Sequence, residues 1–216
     1  MSLAIDSMVI QPPGGDPLFA PLTLDIGAGT ITTLMGPSGV GKTTLLHAIA
    51  GHLAESFTLQ GTLRLNGRLL NGLPAERRRI GLMFQDATLF PHLSVGDNLA
   101  FGLRSGVKGR QARAKAVDRA LASAGLDGMR RRDPATLSGG QRARAALMQS
   151  LLAEPEAILL DEPFSRLDET LRADIRAFVL NHIRDRSIPA LLVTHDPADA
   201  RAAGGPTIPL GEGAIA

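Results

Sequence analysis

Apolar residues are arranged along the chain in runs typical of strands at its start and in helical spacings further on. The pattern predicts early strands at residues 8–10, 22–26, 30–36 and 79–84, together with a hairpin over 58–70. Asn66-Gly67 lies in the middle of that hairpin, and this dipeptide favours a tight turn. We expect these opening strands to pair antiparallel.

Strands and helices alternate in the second half of the chain. Continuous apolar runs at 157–161 and 190–194 predict buried strands, and helices are expected at about 141–153 and 168–185, with a short one beginning at Asp196-Pro197. A further helix is expected from Lys42 to about Gly51, directly after the strand that ends in Gly36. Such alternation implies a parallel sheet with helices packed on it.

Residues 86–136 differ from the rest of the chain. They form helical segments rich in glycine and arginine, and Ser94 to Asp97 resembles a helix N-cap box. We therefore predict one domain over residues 1–216, of class α/β. In it, residues 1–85 and 137–216 form a core with an antiparallel β edge, and residues 86–136 form an inserted helical subdomain.

Composition restricts the function classes. The 216 residues are 44% hydrophobic and 20% charged, as in ordinary globular proteins, and they include no cysteine that could form a disulfide or a thiolate metal site. Seven phenylalanines are the only aromatic residues, which argues against a surface that stacks nucleic-acid bases. Since the start of the chain shows no secretory leader and no apolar run long enough to cross a membrane, we expect a cytoplasmic location.

Basic residues are concentrated in one stretch. The net charge is only +2 with a pI near 9.6, yet residues 104–132 contain nine Lys or Arg against two Asp. A solvated helical face explains such a stretch, and docking onto membrane subunits or anionic headgroups is the alternative.

The segment "GPSGVGKTT" fits the phosphate-binding loop G-x-x-x-x-G-K-[ST], and it lies where that loop should, after a strand and before a helix. The glycines allow successive backbone N–H groups to face phosphates, and the helix N-terminus adds partial positive charge. Lys42 could reach the β- and γ-phosphates, while the Thr43 hydroxyl could bind Mg²⁺. The nucleotide-binding candidates are Gly36, Pro37, Ser38, Gly39, Val40, Gly41, Lys42, Thr43 and Thr44.

Polar side chains follow three of the predicted strands. Asp161 ends the strand 157–161, where α/β folds bind ligands, and its carboxylate suits a Mg²⁺ shell. Glu162 follows it and could polarise an attacking water. Gln85 could contact Mg²⁺ and that water, and His195 could contact the γ-phosphate. Taken alone, each is more often an ordinary loop residue, as we expect His47, His52, His92 and His182 to be.

A second anion site is predicted at "LSGGQ". Ser138, Gly139 and Gly140 precede a helix expected to begin near Gln141, so a hydroxyl, backbone N–H groups and a helix dipole could converge on an anion. This segment carries no lysine, and the first loop already encloses one face of a triphosphate. It is therefore better explained as serving another nucleotide than as a spare phosphate loop.

Together these segments resemble the nucleotide-binding subunit of ABC transporters, over nearly the whole chain. The resemblance rests on "GPSGVGKTT", "MFQD", "LSGGQ", "AILLDEP", "SRLD" and "VTHD", and "QDATLFPHLSVGDNLAFGL" is similar to the matching stretch of bacterial importer ATPases. It implies a P-loop NTPase core with an antiparallel β subdomain and an inserted helical subdomain.

The resemblance also implies roles and partners. ATP with Mg²⁺ would be bound between the phosphate loop of one copy and Ser138 to Gln141 of a second, in a head-to-tail dimer. Glu162, His195 and Gln85 would be catalytic, Thr43, Gln85 and Asp161 would hold the metal, and Asp168 would belong to the D-loop. Transmembrane permease subunits, and indirectly a solute-binding protein, would be the other partners, on the inner face of the cell membrane.

Three positions depart from the family pattern. Pro13 stands where the family usually has an aromatic residue that stacks on adenine, and Phe19 could substitute for it. Gln149 follows the "LSGGQ" segment at a position where the family usually has Arg. Arg166 in "SRLD" replaces the commoner Ala or Asn. Two alternatives stay open: a soluble ABC ATPase acting on nucleic acid or in translation, and a degenerate nonhydrolysing member.

Overall fold

The computed structural model describes residues 1–84, 89–165, 167 and 169–211. The strands in this part are β1 (Ser2–Gln11), β2 (Leu22–Gly27), β3 (Ile31–Met35), β4 (Thr58–Leu65), β5 (Arg68–Leu69), β6 (Ile80–Met83), β7 (Ala157–Asp161), β8 (Ala190–Thr194) and β9 (Thr207–Pro209). The helices are α1 (Lys42–Ala50), α2 (Ala75–Arg78), α3 (Val95–Gly102), α4 (Arg110–Ser123), α5 (Gly139–Leu152), α6 (Glu169–Asp185) and α7 (Pro197–Ala203).

One sheet is antiparallel, in the order β2-β1-β4-β5. The predicted hairpin is confirmed, because β4 and β5 pair with Leu65 opposite Arg68 and leave Asn66-Gly67 as the turn. Asn66 also anchors this turn: its side chain accepts a hydrogen bond from the backbone N–H of Ser2 and donates one to Glu156, the residue before β7.

The second sheet has the order β6-β7-β8-β3-β9. The described pairs β7·β8, β3·β8 and β3·β9 are parallel, which confirms the parallel sheet. The expectation that all the opening strands pair antiparallel is wrong for β3, which pairs with β8 and β9. Strand β3 is buried on both faces, whereas buried and exposed residues alternate in β1 and β2. Burial on both faces is typical of a strand inside a parallel sheet.

The chain divides into two compact units. The first comprises residues 1–82, 156–162 and 180–216, and the second comprises residues 83–155 and 163–179. The first unit contains one continuous apolar core, to which both sheets and α1 contribute fully buried residues such as Ile5, Leu34, Leu45 and Leu159. This core fixes the ends of β3, β7 and β8, where the predicted site residues lie.

Helices dominate the second unit, in which α3, α4 and α5 pack against one another. The predicted N-cap is confirmed, since the Ser94 hydroxyl accepts a hydrogen bond from the N–H of Asp97. The side chain of Gln149 lies on Gly102 at the end of α3, and a Cβ at Gly102 would collide with the Gln149 carbonyl oxygen. Gln149 therefore contributes to the packing between α3 and α5.

Two ion pairs use part of the charge of the basic stretch: Arg104 with Glu154 at 2.7 Å and Arg130 with Asp118 at 2.9 Å. All four side chains are largely exposed, so these pairs add little to stability. Among the described residues, no helix combines the length and hydropathy of a membrane span.

Candidate functional site

The phosphate-loop segment connects β3 to α1 in the first unit. Gly41 caps α1 with φ of 98°, a left-handed conformation that glycine adopts without strain, and its α-carbon faces Leu18 so closely that a Cβ would lie 2.9 Å from Leu18 Cδ1. Gly36 is required for a different reason: a Cβ there would collide with the carbonyl oxygen of Leu210, which follows β9. The glycine spacing thus reflects close backbone approaches on both sides of the loop.

Lys42 is the first residue of α1, and it is only 6% exposed. Its ammonium group donates hydrogen bonds to the carbonyl oxygens of Gly36 and Pro37, at 2.8 and 2.7 Å. These bonds hold the positive charge against the loop, while Pro37, Ser38 and Gly39 are exposed to solvent. A phosphate bound to the exposed loop would therefore meet a cation and a helix N-terminus together.

Asp161 ends β7 and is 8% exposed. Burial raises the pKa of its carboxyl above the ordinary value, and the nearby Glu162 charge raises it further, whereas a hydrogen bond with the Thr43 side chain lowers it. The Thr43 hydroxyl and the Asp161 carboxylate are thus in contact across the start of α1. Both are hard oxygen ligands of the kind that Mg²⁺ prefers, and a divalent cation would offset the cost of the buried charge. The donor set therefore fits the metal.

Glu162 and His195 form a pair beside Asp161. Glu162 Oε2 lies 3.1 Å from His195 Nδ1, with 16% of the glutamate side chain and 57% of the histidine side chain exposed. Glu162 has φ of 44°, a left-handed conformation that costs a residue with a Cβ on the order of 1–3 kcal/mol. Its N–H donates to the carbonyl of Val193 on β8, at 2.9 Å, which holds this conformation.

The serine and glycines of "LSGGQ" begin α5 in the second unit, two residues earlier than expected. Ser138 and Gln141 form a capping box: the N–H of Gln141 donates to the serine hydroxyl, and the N–H of Ser138 donates to the glutamine carbonyl oxygen. Gly139 is exposed, and a Cβ there would be in ordinary van der Waals contact with Leu167 at 3.7 Å, whereas Gly140 packs closely on Leu171. An anion approaching α5 would therefore meet an exposed, glycine-lined helix N-terminus.

The predicted site residues Gln85 and Asp168 lie outside the described residues. So does Arg166, which departs from the family pattern. Pro13 is exposed in the turn after β1. The expectation that Phe19 could stack on adenine is wrong, because its side chain is 1% exposed and belongs to the core of the first unit.

Sequence patterns missed His47, Thr194 and Asp199. Burial raises the pKa of Asp161 and the charge of His47 opposes that rise, so this histidine on α1 lies near the Asp161 carboxyl. Its position four residues after Thr43 on α1, and therefore on the same helix face, was the available signal. Thr194 and Asp199 are buried and hydrogen-bonded to each other beside His195.

A phosphate loop between a parallel strand and a helix, with a buried carboxylate ending a strand of the same sheet, defines a P-loop nucleotide-binding protein. The chain belongs to the ABC transporter family, whose model matches residues 19–165. It is thus an ATP-binding subunit with the ATPase activity characteristic of that family.

Several curated proteins are similar to most of the chain. The Escherichia coli K12 protein named uncharacterized ABC transporter ATP-binding protein YnjD is 50% identical over 185 residues, 86% of this chain and 85% of that protein. The thiamine import ATP-binding protein ThiQ of Vibrio vulnificus YJ016 is 44% identical over 86% of this chain and 77% of its own length. The Fe(3+) ions import ATP-binding protein FbpC of Mesorhizobium japonicum is 45% identical over 84% of this chain and 50% of its own length.

Proposed function

We propose that this chain powers a bacterial importer for a small solute, as one of two ATPase subunits packed head to tail on transmembrane permease subunits. A single ABC ATPase domain with residues 86–136 as its helical insert would do this at the inner face of the cell membrane. The observation that carries the proposal is the convergence of Lys42, Asp161 and the Glu162–His195 pair at one end of the parallel sheet. The thiamine and Fe(3+) import proteins among the relatives support the direction of transport.

The phosphate loop and Lys42 bind the β- and γ-phosphates in this proposal. Thr43, Asp161 and Gln85 would hold Mg²⁺, which would supply positive charge against the phosphates. Since phosphoryl transfer depends mostly on positioning and electrostatics, a rigid loop and a buried lysine are well suited to it. A hydrogen bond with the Thr43 hydroxyl holds the buried Asp161 carboxylate in place.

Glu162 orients the attacking water and accepts its proton. The water oxygen forms a bond to the γ-phosphorus, the bond from that phosphorus to the β-γ bridging oxygen breaks, and ADP leaves. His195 contacts the γ-phosphate through its ring, and the 3.1 Å contact with Glu162 keeps the imidazole beside the base. The backbone hydrogen bond from Glu162 to Val193 fixes the main chain that carries this base.

A second subunit completes the site. Ser138 to Gln141 of one copy would close over ATP held by Lys42 of the other, and Asp168 would lie at that dimer interface. The exposed N-terminus of α5 at Ser138 and Gly139 supports this assignment, since backbone N–H groups at an exposed helix N-terminus can bind a phosphate.

An exposed aromatic pair marks the surface that we assign to the permease subunits. Phe101 is 68% exposed and Phe90 is 37% exposed, with their rings edge to face and 4.8 Å apart. Asn98 is fully buried and holds the loop under Phe90 by accepting from its N–H and donating to its carbonyl. Exposed aromatic residues on a helix and on the well-anchored loop before it are typical of protein interfaces.

ATP hydrolysis by the purified chain tests the proposal. With Mg²⁺ present, wild-type protein should turn over ATP, and Glu162→Gln should bind ATP but hydrolyse it at least about 100-fold more slowly, because the general base is lost. Glu162→Gln should also accumulate as an ATP-bound dimer in size-exclusion chromatography. Glu55→Gln, which changes an exposed glutamate remote in sequence, is the matched control and should behave as wild type. Rapid steady-state hydrolysis by Glu162→Gln would remove Glu162 from its role.

A further inference from the structure

Thr194 is the last residue of β8, and its side chain is buried, with 2% exposure. Its hydroxyl lies 3.0 Å from Oδ2 of Asp199, which is 3% exposed on α7. The same hydroxyl accepts a hydrogen bond of 3.1 Å from the backbone N–H of Asp196. A hydroxyl has one proton to donate, so the proton goes to the Asp199 carboxylate while an oxygen lone pair receives the Asp196 N–H.

These two hydrogen bonds bracket His195. Thr194 precedes it, Asp196 follows it, and Asp196 in turn caps α7 by accepting from the N–H of Ala198 at 2.7 Å. Asp199 on α7 therefore fixes the orientation of the Thr194 hydroxyl. That hydroxyl in turn holds the backbone N–H of Asp196, the residue after His195.

Packing alone does not set the position of the imidazole. The His195 side chain is 57% exposed, and its described polar contact is the one with Glu162. An exposed ring takes its position largely from the backbone that carries it. Here that backbone is held by a buried hydrogen bond from Thr194 to Asp199 and a partly buried one from the N–H of Asp196 to Thr194. Hydrogen bonds with little access to water are worth more than exposed ones, because water cannot readily replace their partners.

We propose that Thr194 and Asp199 are positioning residues for ATP hydrolysis, which act by holding His195 in register with Glu162. This inference rests on the proposed function, since it needs His195 to take part in turnover. Neither residue reaches the nucleotide in this account: both act through the histidine between β8 and α7.

Steady-state kinetics of Thr194→Val, which removes the hydroxyl and keeps the shape, test the inference. We expect kcat for ATP to fall about tenfold or more with the KM for ATP changed by less than about twofold, because ground-state binding by the phosphate loop is untouched. Thr194→Ser, which restores the hydroxyl, should recover most of the rate. Thr33→Val on neighbouring β3 is the matched control: it makes the same change at a buried threonine whose hydroxyl has no hydrogen-bond partner among the described residues.

A double-mutant cycle separates positioning from general structural damage. In a His195→Ala background, Thr194→Val should cause no further loss of kcat, since the residue that it positions is already gone. Losses that multiply would overturn the inference and leave the proposed function standing. A wild-type rate for Thr194→Val, or no rescue by Thr194→Ser, would also overturn it.

Two further results complete the test. If Thr194→Val does not fold, Thr194→Ala removes the same hydroxyl without placing a methyl group against Asp199, and the same outcomes apply. If His195→Ala itself hydrolyses ATP at the wild-type rate, the role of His195 in the proposed function is contradicted, and the inference is overturned with it.

Discussion

At the scale of single residues, two buried threonines on adjacent strands show how hydrogen bonding decides the effect of one hydroxyl. Thr33 and Thr194 are both almost completely buried. The Thr194 hydroxyl has two partners, whereas that of Thr33 has none in the part of the chain that the structure describes. Burying a hydroxyl without a hydrogen-bond partner costs desolvation free energy, and no hydrogen bond compensates for it.

Thr33→Val should therefore stabilise the protein. We expect the free energy of unfolding to rise by about 1 kcal/mol, since the substitution replaces an unsatisfied hydroxyl by a methyl group of similar size. Urea unfolding followed by circular dichroism measures the change. Thr194→Val in the same assay should lower that free energy, and a fall for Thr33→Val as well would show that the Thr33 hydroxyl has a partner.

Asp161→Asn should raise stability while removing function. Burial raises the pKa of the Asp161 carboxyl in the folded state, so the folded protein binds this proton more tightly than the unfolded chain does. The wild type therefore loses stability as pH rises from the unfolded pKa through the raised folded pKa, and the loss is complete above it. Asparagine avoids that loss.

Urea unfolding without nucleotide or metal, at a series of pH values, checks this expectation. The free energy of unfolding of Asp161→Asn should exceed that of wild type at pH 7, and the difference should shrink as pH falls from the raised folded pKa to the unfolded pKa of an aspartate and stay level below it. A difference that does not vary with pH would show that the pKa of Asp161 is the same in the folded and unfolded states. ATP hydrolysis by Asp161→Asn should be lost, because the metal loses a ligand.

At the scale of elements, helix ends and strand ends carry most of the local specificity. Helix α1 ends beneath Arg78, whose guanidinium donates to the carbonyls of Ala48 and Ile49 at 2.7 and 2.9 Å and to that of Leu73 at 2.8 Å. Burial lowers the pKa of Arg78, but a cation at a helix C-terminus is favoured by the helix dipole. The arginine thus satisfies carbonyls that the helix itself leaves unpaired.

Arg78→Met should destabilise the protein by about 2–4 kcal/mol, because several buried carbonyls would lose charged donors. Thermal or urea unfolding measures the loss. The neighbouring Arg77 is exposed, and Arg77→Met should change the free energy of unfolding by less than about 0.5 kcal/mol. Equal effects of the two substitutions would contradict the role of Arg78.

Sequence patterns predicted the buried strands of the second half well, but they found only residues 8–10 of the ten-residue β1 and missed β9 and α2. Strands β7 and β8 agree with the apolar runs residue for residue, since both are buried throughout. Strand β9 was missed because it has three residues and ends in proline. It forms a strand through its pairing with β3, and its own residue pattern does not predict one. Helix α2 was missed for the same reason, as it has only four residues.

The site was predictable as far as a linear motif describes it. Lys42 and Thr43 begin α1 and Asp161 ends β7, positions that spacing around the strands predicts. The Thr194–Asp199 contact instead depends on how α7 folds back on the end of β8. The burial of Phe19 likewise depends on packing with distant strands, which no local pattern contains.

At the scale of the whole molecule, the motifs of the family are divided between the two compact units. Lys42, Asp161, Glu162 and His195 belong to the first unit, and Ser138 to Gln141 belong to the second. The central claim of the proposed function is that Ser138 serves the nucleotide bound by a second copy. One chain would then hold two halves of different sites.

Nucleotide-dependent dimerisation of mixed variants tests that claim most directly. Two chains of different mass, both carrying Glu162→Gln to prevent hydrolysis, would carry either Lys42→Ala or Ser138→Arg, and native mass spectrometry would follow dimers in ATP. Each chain alone should remain monomeric, because both of its sites would be broken. The mixture should form a heterodimer, which has one site with both Lys42 and Ser138 intact, holding one ATP. Homodimers of the Ser138→Arg chain, or no heterodimer in the mixture, would contradict the account.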